Sequence, residues 1–189
     1  MSSAEPGHHD RGHHGPSHHD PSHPATVRPA TRADTDALVE LCTMVQDLHV
    51  AAHPSEFHPL DRADARIFFQ DWLGLPSAVI LVADVGGVPV GYLAGAEQHR
   101  PHNPFSTESH VLHVDQIGVH HDHRHAGIGG ALLRAAEATA SERGLSRVHL
   151  ETWAFNDDAQ AFFATAGFEP YMLRLWRDVS PPGTSPSAG

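Results

Sequence analysis

A glycine-rich segment, residues 119–130, carries the residue types and spacing that most directly suggest chemistry. The segment lies between an apolar stretch, residues 111–119, and a helical pattern that begins near Gly127. A glycine-rich turn from a strand into a helix presents several backbone N–H groups at the positive end of a helix dipole, which suits a pyrophosphate. The spacing Arg124-x-x-Gly127-x-Gly129 therefore predicts a docking site for a phosphorylated cofactor.

Two better-known phosphate motifs do not fit this segment. The dinucleotide fingerprint requires Gly-x-Gly-x-x-Gly near the first strand, and that spacing is absent here. A Walker loop requires Gly-Lys-Ser or Gly-Lys-Thr, whereas the 12 basic residues counted as Lys and Arg are all Arg. The segment therefore belongs to another class of phosphate site.

Alternating apolar patterns predict the elements that must hold this segment. Gly, Pro and polar clusters separate them, and the predicted order is β-α-α-β-β-β-α-β-α-β, a mixed α/β sheet. The predicted strands cover residues 26–28, 78–83, 88–97, 111–119, 147–152 and 168–177, and helices begin near Asp34 or Thr35, Asp61, Gly127 and Asn156. The second helix is expected to bury Ala65, Phe68, Trp72 and Leu73.

Several ordered motifs resemble those of the GNAT superfamily of N-acetyltransferases. Residues 124–129 are similar to the acetyl-CoA-binding motif of these enzymes. Residues 156–168 resemble their signature Asn-x-x-Ala-x-x-apolar-Tyr-x-x-x-Gly-Phe, and the similarity extends over about residues 26–177. The resemblance implies the GNAT fold, a mixed central β-sheet flanked by helices, with a V-shaped splay between the strands around Val119 and Val148.

The resemblance also implies that acetyl-CoA is the cosubstrate and indicates where it binds. The backbone of Ile117 and Val119 would pair with the pantetheine arm, and the N–H groups around 124–130 would hold the pyrophosphate. An alternative for Gly129 and Gly130 is that they only allow close packing of the helix. The full set of expected cofactor-binding residues is Ile117, Gly118, Val119, Arg124, His125, Ala126, Gly127, Ile128, Gly129, Gly130, Asn156 and Phe163.

Acetyl transfer to an amine requires a neutral amine, a polarised thioester carbonyl and a proton for the departing thiolate. Asp115, two residues before Ile117, is the candidate base, and Glu97 and Glu151 are alternatives. Asp115 could instead be a structural carboxylate that pairs with an Arg or a neighbouring His.

The residue expected to protonate the thiolate departs from the family pattern. Phe163 occupies the position where these enzymes usually carry Tyr, and Phe cannot donate a proton. Tyr171 is therefore the candidate acid, and protonation by solvent is the alternative. The predicted function is direct acetyl transfer to a primary amine without a covalent enzyme intermediate. The alternative is a GNAT-fold acyl-CoA-binding protein with little or no transferase activity.

The acceptor is expected to contact the first two helices and one loop. Its candidate contacts are His49, His53, Phe57 and residues 99–109. The formal net charge of −11 favours a cationic small molecule, such as a polyamine or an aminoglycoside-like amine, over nucleic acid. A peptide N-terminus is another option, and a homodimer is an open option for the assembly.

Residues 1–25 repeat His pairs among Gly, Pro, Ser and Asp, which predicts a disordered tail. This tail either collects divalent metal or is a low-complexity segment with incidental metal affinity. His113 and Asp115 share a strand face, but no third ligand follows from their spacing, so no metal is expected in the folded domain. The predicted domain covers residues 26–179, and 180–189 form a second loose end.

Composition also bears on where the protein resides. The single Cys42 rules out an intramolecular disulfide and is typical of a reducing compartment. The sequence contains no apolar run long enough for a transmembrane helix and no apolar N-terminal leader. These observations predict a cytoplasmic protein without membrane partners.

Overall fold

The computed structural model describes residues 24–179, which form a mixed five-stranded sheet with helices on both faces. Two short 3₁₀ turns, Arg32–Asp34 and His121–His123, accompany the main elements. In chain order these elements are β1 (Thr26–Pro29), α1 (Thr35–Ala52), α2 (Arg62–Trp72), β2 (Ala78–Val85), β3 (Val88–Arg100), β4 (Ser109–Val119), α3 (Ile128–Glu142), β5 (Val148–Leu150) and α4 (Asp157–Thr165).

The sheet follows the order of the chain and opens at one end. β1 to β4 pair antiparallel with their neighbours, and β5 pairs parallel with β4. The β4–β5 pairing covers only residues 112–114 and 148–150, although β4 continues to Val119. Within residues 24–179, the last part of β4 therefore has no strand partner on its β5 side, which confirms the GNAT-type mixed sheet and opens the expected splay.

Two apolar layers hold the helices against the sheet. α3 packs on one face through Ile128, Leu132 and Ala136, and Phe163 of α4 joins the same cluster. On the opposite face, α1 and α2 bury a second cluster. The main residues of this second cluster are Leu38, Leu41, Cys42, Phe69, Trp72 and Tyr92. The splay in the sheet is thus bordered by α3 on one side and by α1 on the other.

A β-bulge interrupts β4 at Asp115. The register pairs Ala94 with Gln116 and Gly95 with Val114, so Asp115 is the extra residue. A Cβ at Gly95 would lie 2.2 Å from the carbonyl oxygen of His113, so only glycine allows this close approach of the strands. A bulge changes which side chains face each side of the sheet.

The change of face at the bulge is visible in the packing. Before it, Leu112 and Val114 contact the α3 layer; after it, Ile117 and Val119 do so. Gln116 points the other way, because its side chain contacts Cys42 of α1. The bulge therefore aims both Ile117 and Val119 at the α3 layer.

Two sequence predictions about the elements were wrong. Residues 168–179 contain no strand, since β5 is only three residues long and offers little edge for another strand to pair with. In α2 the core residue is Phe69, which is 1% exposed, and not Phe68, which is 53% exposed. The start of α1 was predicted correctly: Asp34 is at its N-cap position, although the carboxylate makes no capping hydrogen bond because it binds Arg28 and Thr31.

Most of the two predicted tails lies outside the described residues. Residues 1–23 and 180–189 therefore receive no structural account. Ala25, at the predicted boundary, already packs against the α3 cluster.

Candidate active site

The turn from β4 into α3 forms a backbone concavity. His125 and Gly127 both adopt left-handed conformations, with φ of 62° and 78°. Gly127 caps α3, whose first residue is Ile128. Within residues 24–179, the N–H groups of residues 125–130 donate no backbone hydrogen bond to another element. N–H groups at a helix start with left-handed residues before it form an anion-binding nest, so the predicted cofactor segment has the geometry for a pyrophosphate.

The conformation of this turn is supported by Arg124. Its Nε donates a 3.3 Å hydrogen bond to the carbonyl oxygen of Val119, the last residue of β4. The bond spans the turn and links its two ends. Arg124 therefore has a structural contact, and its positive charge lies beside the nest.

The three glycines between residues 127 and 130 have different structural roles. A Cβ at Gly129 would lie 2.9 Å from Cζ of Phe162 in α4, so this glycine permits close helix packing. Gly129 therefore has a packing role with α4, and its predicted contact with a cofactor is a separate matter that stays a prediction. Gly127 has open space around it but a positive φ, and a Cβ at Gly130 would meet only the mobile end of Arg134. Gly127 is consequently the glycine that the turn conformation itself requires.

Gly118 has a packing role on the α1 side. A Cβ there would lie 2.7 Å from Cγ2 of Val45 and 2.9 Å from Cε1 of Tyr92. The absence of a side chain lets α1 lie directly on this part of β4. Ile117 and Val119, its neighbours, contact the opposite layer.

Asp115 lies at the bulge, on the rim of the splay. Its side chain is 44% exposed, and its Oδ1 lies 3.7 Å from Nε2 of His113. Partial burial raises the pKa of Asp115; the His113 charge opposes this, and the negative charge of Glu151 adds to it. A carboxylate with a raised pKa is a stronger base than an ordinary Asp.

Tyr171 lies on the solvent side of β5. It is 75% exposed, and its ring stacks on His149 with centroids 5.7 Å apart. His149 is opposite His113 in the β4–β5 register. The pKa of His149 is lowered, chiefly by burial and then by the charge of Arg147. The structure thus brings both predicted catalytic residues to the β4–β5 pair, Asp115 through His113 and Tyr171 through His149.

The two alternative candidates for the base, Glu97 and Glu151, have different surroundings. Glu97 accepts from Arg143 at 2.8 Å and lies 3.0 Å from Nε2 of His110, so it already serves an ion pair. Glu151 follows β5 and acts on Asp115 through its charge. Of the three carboxylates, Asp115 is the one at the bulge beside the splay, and its role as the base stays a prediction.

Asn156 and Phe163 have clear structural roles. Oδ1 of Asn156 accepts from the N–H of Ala159 at 3.1 Å and caps α4. Phe163 is 7% exposed and packs against Phe162 and Phe168, at centroid distances of 5.2 and 6.0 Å. Their contacts with a cofactor remain predictions, and the Phe163 ring lies in the core.

A buried polar group that sequence reasoning missed lies under α1. The hydroxyl of Tyr92 donates to Oε1 of Gln116 at 2.9 Å, and the Cys42 thiol donates to the same oxygen at 3.4 Å. Burial raises the pKa of both Tyr92 and Cys42, so both stay protonated at neutral pH. Cys42 is itself a buried core residue. The only sequence signal for the contact between Tyr92 and Gln116 was the alternation of inward and outward side chains along β3 and β4.

Five rings meet on the α1 side of the splay. His49 stacks on Phe57 at 5.0 Å and meets Phe155 edge-on at 6.0 Å. Phe57 also contacts Trp153 at 5.0 Å, and His53 lies 5.0 Å from Phe155. The five residues, here called the aromatic cluster, join the end of α1, the loop after it and the loop after β5.

The position of the aromatic cluster follows from the helix above it. Val45 lies over Gly118, and His49 is one turn further along α1. Trp153 and Phe155 follow the last residue of β5. The cluster therefore lies on the opposite side of the sheet from α3. Burial lowers the pKa of His49, which keeps its imidazole neutral at pH 7.

Comparison with known proteins supports the assignment suggested by this geometry. The acetyltransferase (GNAT) family matches residues 42–168, which include the bulge, the nest and α4. The chain belongs to the GNAT acetyltransferase family. Acetyl transfer is accordingly its general chemistry. No sequence match was found among curated proteins.

Solved structures share the fold of this GNAT protein at low sequence identity. A point mutant of the BH1408 protein from Bacillus halodurans has a TM-score of 0.76 and 21% identity, covering 82% of this chain and 99% of that one. The aminoglycoside N-acetyltransferase AAC(6')-Iy in complex with CoA has a TM-score of 0.68 and 16% identity, with 83% and 96% covered. An aminoglycoside acetyltransferase from an uncultured soil metagenomic sample, in complex with sisomicin, has a TM-score of 0.59 and 18% identity, with 82% and 97% covered.

The structure brings together three of the residues predicted to contact the acceptor, and that they do contact it stays a prediction. His49, His53 and Phe57 do come together, as expected for a shared surface. Trp153 and Phe155 were missed, although their position between β5 and the α4 cap would have been the available signal. None of the helices in residues 24–179 is long and apolar enough to cross a membrane.

Proposed function

We propose that this GNAT protein transfers an acetyl group from acetyl-CoA to a primary amine of a small cationic acceptor. The observation that carries the proposal is the position of Asp115. It is the bulged residue of the same strand that ends at the phosphate-binding nest. A base and a cofactor site are thus held on one rigid element, which favours a direct reaction between bound partners.

Acetyl-CoA is the cosubstrate, and the proposal places its pyrophosphate in the nest at residues 124–130. Two left-handed residues and the start of α3 support this position. The pantetheine arm would follow the unpaired edge of β4 at residues 117–119, where it would take the place of a neighbouring strand. The acetyl group would then lie near the bulge.

Asp115 is proposed to take the proton of the attacking amine, directly or through water. The nitrogen attacks the thioester carbonyl, the new C–N bond forms, and the C–S bond breaks as the thiolate leaves. Partial burial raises the pKa of Asp115, which favours proton uptake from an ammonium ion. No acyl-enzyme forms, because the amine itself is the nucleophile.

Tyr171 is proposed to supply the proton that the thiolate requires. The ring is held at the β4–β5 pair by its contact with His149. Phe163 cannot perform this role, since it has no hydroxyl and its ring is buried. The proposal predicts that Tyr171→Phe lowers kcat, while an unchanged kcat would favour protonation by solvent.

The acceptor is proposed to lie against the aromatic cluster. Faces of Trp and Phe attract cations, and the net charge of −11 raises the local concentration of cationic molecules. Two of the structural neighbours are aminoglycoside acetyltransferases, which act on amines that are cationic at neutral pH. A polyamine or an aminoglycoside-like amine is therefore the acceptor class that we favour over a peptide N-terminus.

The test is a panel of polyamines, aminoglycosides and peptides with thiol detection of released CoA. The comparison uses the wild-type chain, Asp115→Asn, and Asp71→Asn as an exposed carboxylate control on α2. We expect turnover that Asp115→Asn lowers by about 10²-fold or more and Asp71→Asn leaves intact. Absence of thermal stabilisation by acetyl-CoA would contradict the cofactor placement, and equal loss in both variants would contradict the role of Asp115.

A homodimer is proposed from an exposed apolar run near the end of the described chain. Met172, Leu173, Leu175 and Trp176 are all mostly exposed. Contiguous apolar surface of this kind marks an interaction site. Light scattering of the full chain and of a Leu173→Glu, Leu175→Glu variant tests the proposal, and a monomeric wild type would reject it. Metal binding by the tail and a cytoplasmic location stay predictions.

A further inference from the structure

The short turn between β4 and the phosphate nest brings three metal-ligating side chains together. His120, His121 and Asp122 each offer one ligand atom, and these atoms lie within 4.8 Å of one another. The turn begins directly after Val119 and ends at the start of the nest. The three side chains are different residues from Asp115 and Tyr171, to which the proposed function assigns the proton transfers.

The spacing of the ligand atoms suits a zinc-type ion. Nε2 of His121 lies 3.2 Å from Oδ1 of Asp122, and Nδ1 of His120 lies 3.7 Å from Oδ2 of the same carboxylate. Zinc binds nitrogen and oxygen at about 2.0–2.2 Å in tetrahedral geometry, which places neighbouring ligand atoms about 3.3–3.6 Å apart. All three ligand atoms lie within 4.8 Å of one another, a spacing that side-chain rotations bring into the range for one ion.

The local contacts are compatible with loading. The rings of His120 and His121 stack at 4.2 Å with 29° between their planes, so both imidazoles lie on one side of the turn and must tilt further for their nitrogens to face one ion. Nδ1 of His120 now accepts a long 3.4 Å bond from the N–H of Asp122, a contact that an ion would replace. The nearby guanidinium of Arg124 is directed back to the Val119 carbonyl oxygen.

We propose that His120, His121 and Asp122 bind one divalent transition-metal ion of the zinc class at the edge of the cofactor site. Three protein ligands leave one coordination position open to water or to an anion. The ion adds two positive charges and neutralises Asp122 immediately before the nest. A second claim rests on the proposed function: loading of this site strengthens the binding of acetyl-CoA, whose phosphates are anionic.

The experiment uses the full chain with every histidine of residues 1–23 replaced by Asn, so that the tail does not mask the site. These replacements are His8, His9, His13, His14, His18, His19 and His23. Zinc is titrated by calorimetry, and cobalt is titrated while its visible absorption reports a site with nitrogen ligands. His121→Ala and Asp122→Asn are introduced in this parent, and His102→Ala is the matched control in an exposed loop.

We expect the parent to bind one zinc ion, and each site variant to bind it at least about tenfold more weakly. His102→Ala should bind zinc like the parent. Circular dichroism and metal-free thermal unfolding show whether the variants are folded. Equal zinc affinity in the parent and in folded His121→Ala, or an equal loss in His102→Ala, would overturn the site.

Coupling to the cofactor is measured by titrating acetyl-CoA with and without saturating zinc. We expect affinity to rise about fivefold or more in the parent and to stay constant in Asp122→Asn. An unchanged affinity in the parent would overturn the coupling. A chain that binds no acetyl-CoA at all would reject the proposed function, while the zinc titration would still decide the site.

Discussion

A Cβ atom on Gly129 would lie 2.9 Å from Cζ of Phe162, which makes the start of α3 and the body of α4 a tightly matched pair. We predict that Gly129→Ala destabilises the fold by about 1–3 kcal/mol, because the added methyl overpacks the contact with the Phe162 ring. Chemical denaturation of the cofactor-free protein measures the change.

The neighbouring glycine gives the matched control. Gly130→Ala would meet only the end of the Arg134 side chain, and Ala favours a helix over Gly by about 1 kcal/mol. Stability should therefore stay equal or rise. Adding Phe162→Leu should recover part of the Gly129→Ala loss, and strict additivity of the two changes would contradict the contact.

A second prediction concerns His125, whose φ of 62° is unusual for a residue with a side chain. His125→Gly should keep or slightly raise the free energy of unfolding, because glycine adopts this conformation without strain. His125→Val should lower it by about 1–2 kcal/mol, since β-branched residues resist positive φ. Thermal unfolding of both variants checks the order, and equal stabilities would show that the turn adapts to its side chain.

The segment around this residue also shows what the sequence could predict. The spacing of Arg124, Gly127 and Gly129 located the strand-to-helix turn, because glycine spacing and helix starts are local properties. The bulge at Asp115 was not predictable from alternation alone, because it depends on which residue of β3 lies opposite. The place of Trp153 in the aromatic cluster was missed for a similar reason, because its contacts with His49, His53 and Phe57 join residues about 100 positions apart in the chain.

The predicted strand at residues 168–177 is an opposite case. Its alternation of apolar and polar residues indicated a strand, yet strand formation requires a neighbouring edge with free hydrogen-bonding groups. β5 has only three residues, and the apolar side chains after Phe168 are exposed in the described chain. The local pattern of residues therefore indicated a strand, but it could not show whether a neighbouring strand was there to pair with it.

A third prediction concerns acid stability and Asp34. The carboxylate accepts from Arg28 at 2.8 and 2.9 Å and from the backbone and hydroxyl of Thr31, which lowers the pKa of Asp34 in the folded protein. In the unfolded chain the pKa is about 3.9. The stabilisation is therefore fully present above the unfolded value and is lost as the pH falls toward the lower folded value.

Asp34→Asn should lower the free energy of unfolding by about 1–3 kcal/mol near pH 7, because it removes a buried partner of Arg28. The difference from wild type should stay constant above about pH 5 and shrink below about pH 4. Asp71→Asn, an exposed change on α2, should show no such trend. Denaturation curves across this pH range provide the measurement, and a gap that widens in acid would contradict the ion pair.

A fourth prediction concerns the pH dependence of catalysis. Burial and Glu151 raise the pKa of Asp115, while His113 opposes them. As a general base, Asp115 must be deprotonated, so kcat/KM should fall as the pH drops through a value above that of an ordinary Asp. Asp115→Asn should remove this acid limb together with most of the rate.

Substitutions at two residues near Asp115 should shift the acid limb of the profile of kcat/KM against pH in opposite directions. His113→Gln removes a positive charge that stabilises the carboxylate, so the limb should shift to higher pH. Glu151→Gln removes a negative charge, so the limb should shift to lower pH. Initial rates against pH for the two variants test this pair, and shifts in the same direction would exclude Asp115 as the titrating group.

The last prediction separates the acceptor from the cofactor. Trp153 contacts Phe57 at 5.0 Å on the α1 side of the splay, whereas the nest lies at the start of α3. Trp153→Leu should raise the KM of a cationic acceptor, by about 5-fold or more if a partly desolvated cation–π contact of about 1 kcal/mol or more is lost. The acetyl-CoA affinity should change little.

Phe68→Leu is the control, because that ring is 53% exposed on α2 and lies outside both the aromatic cluster and the apolar run proposed for the homodimer. It should leave both constants unchanged. Neutral isosteres of the acceptor can be tested as competitive inhibitors. Their inhibition constants should be equal for wild type and Trp153→Leu, since they carry no cation. A parallel loss of acetyl-CoA affinity in Trp153→Leu would place the aromatic cluster in the cofactor site and remove it from acceptor recognition.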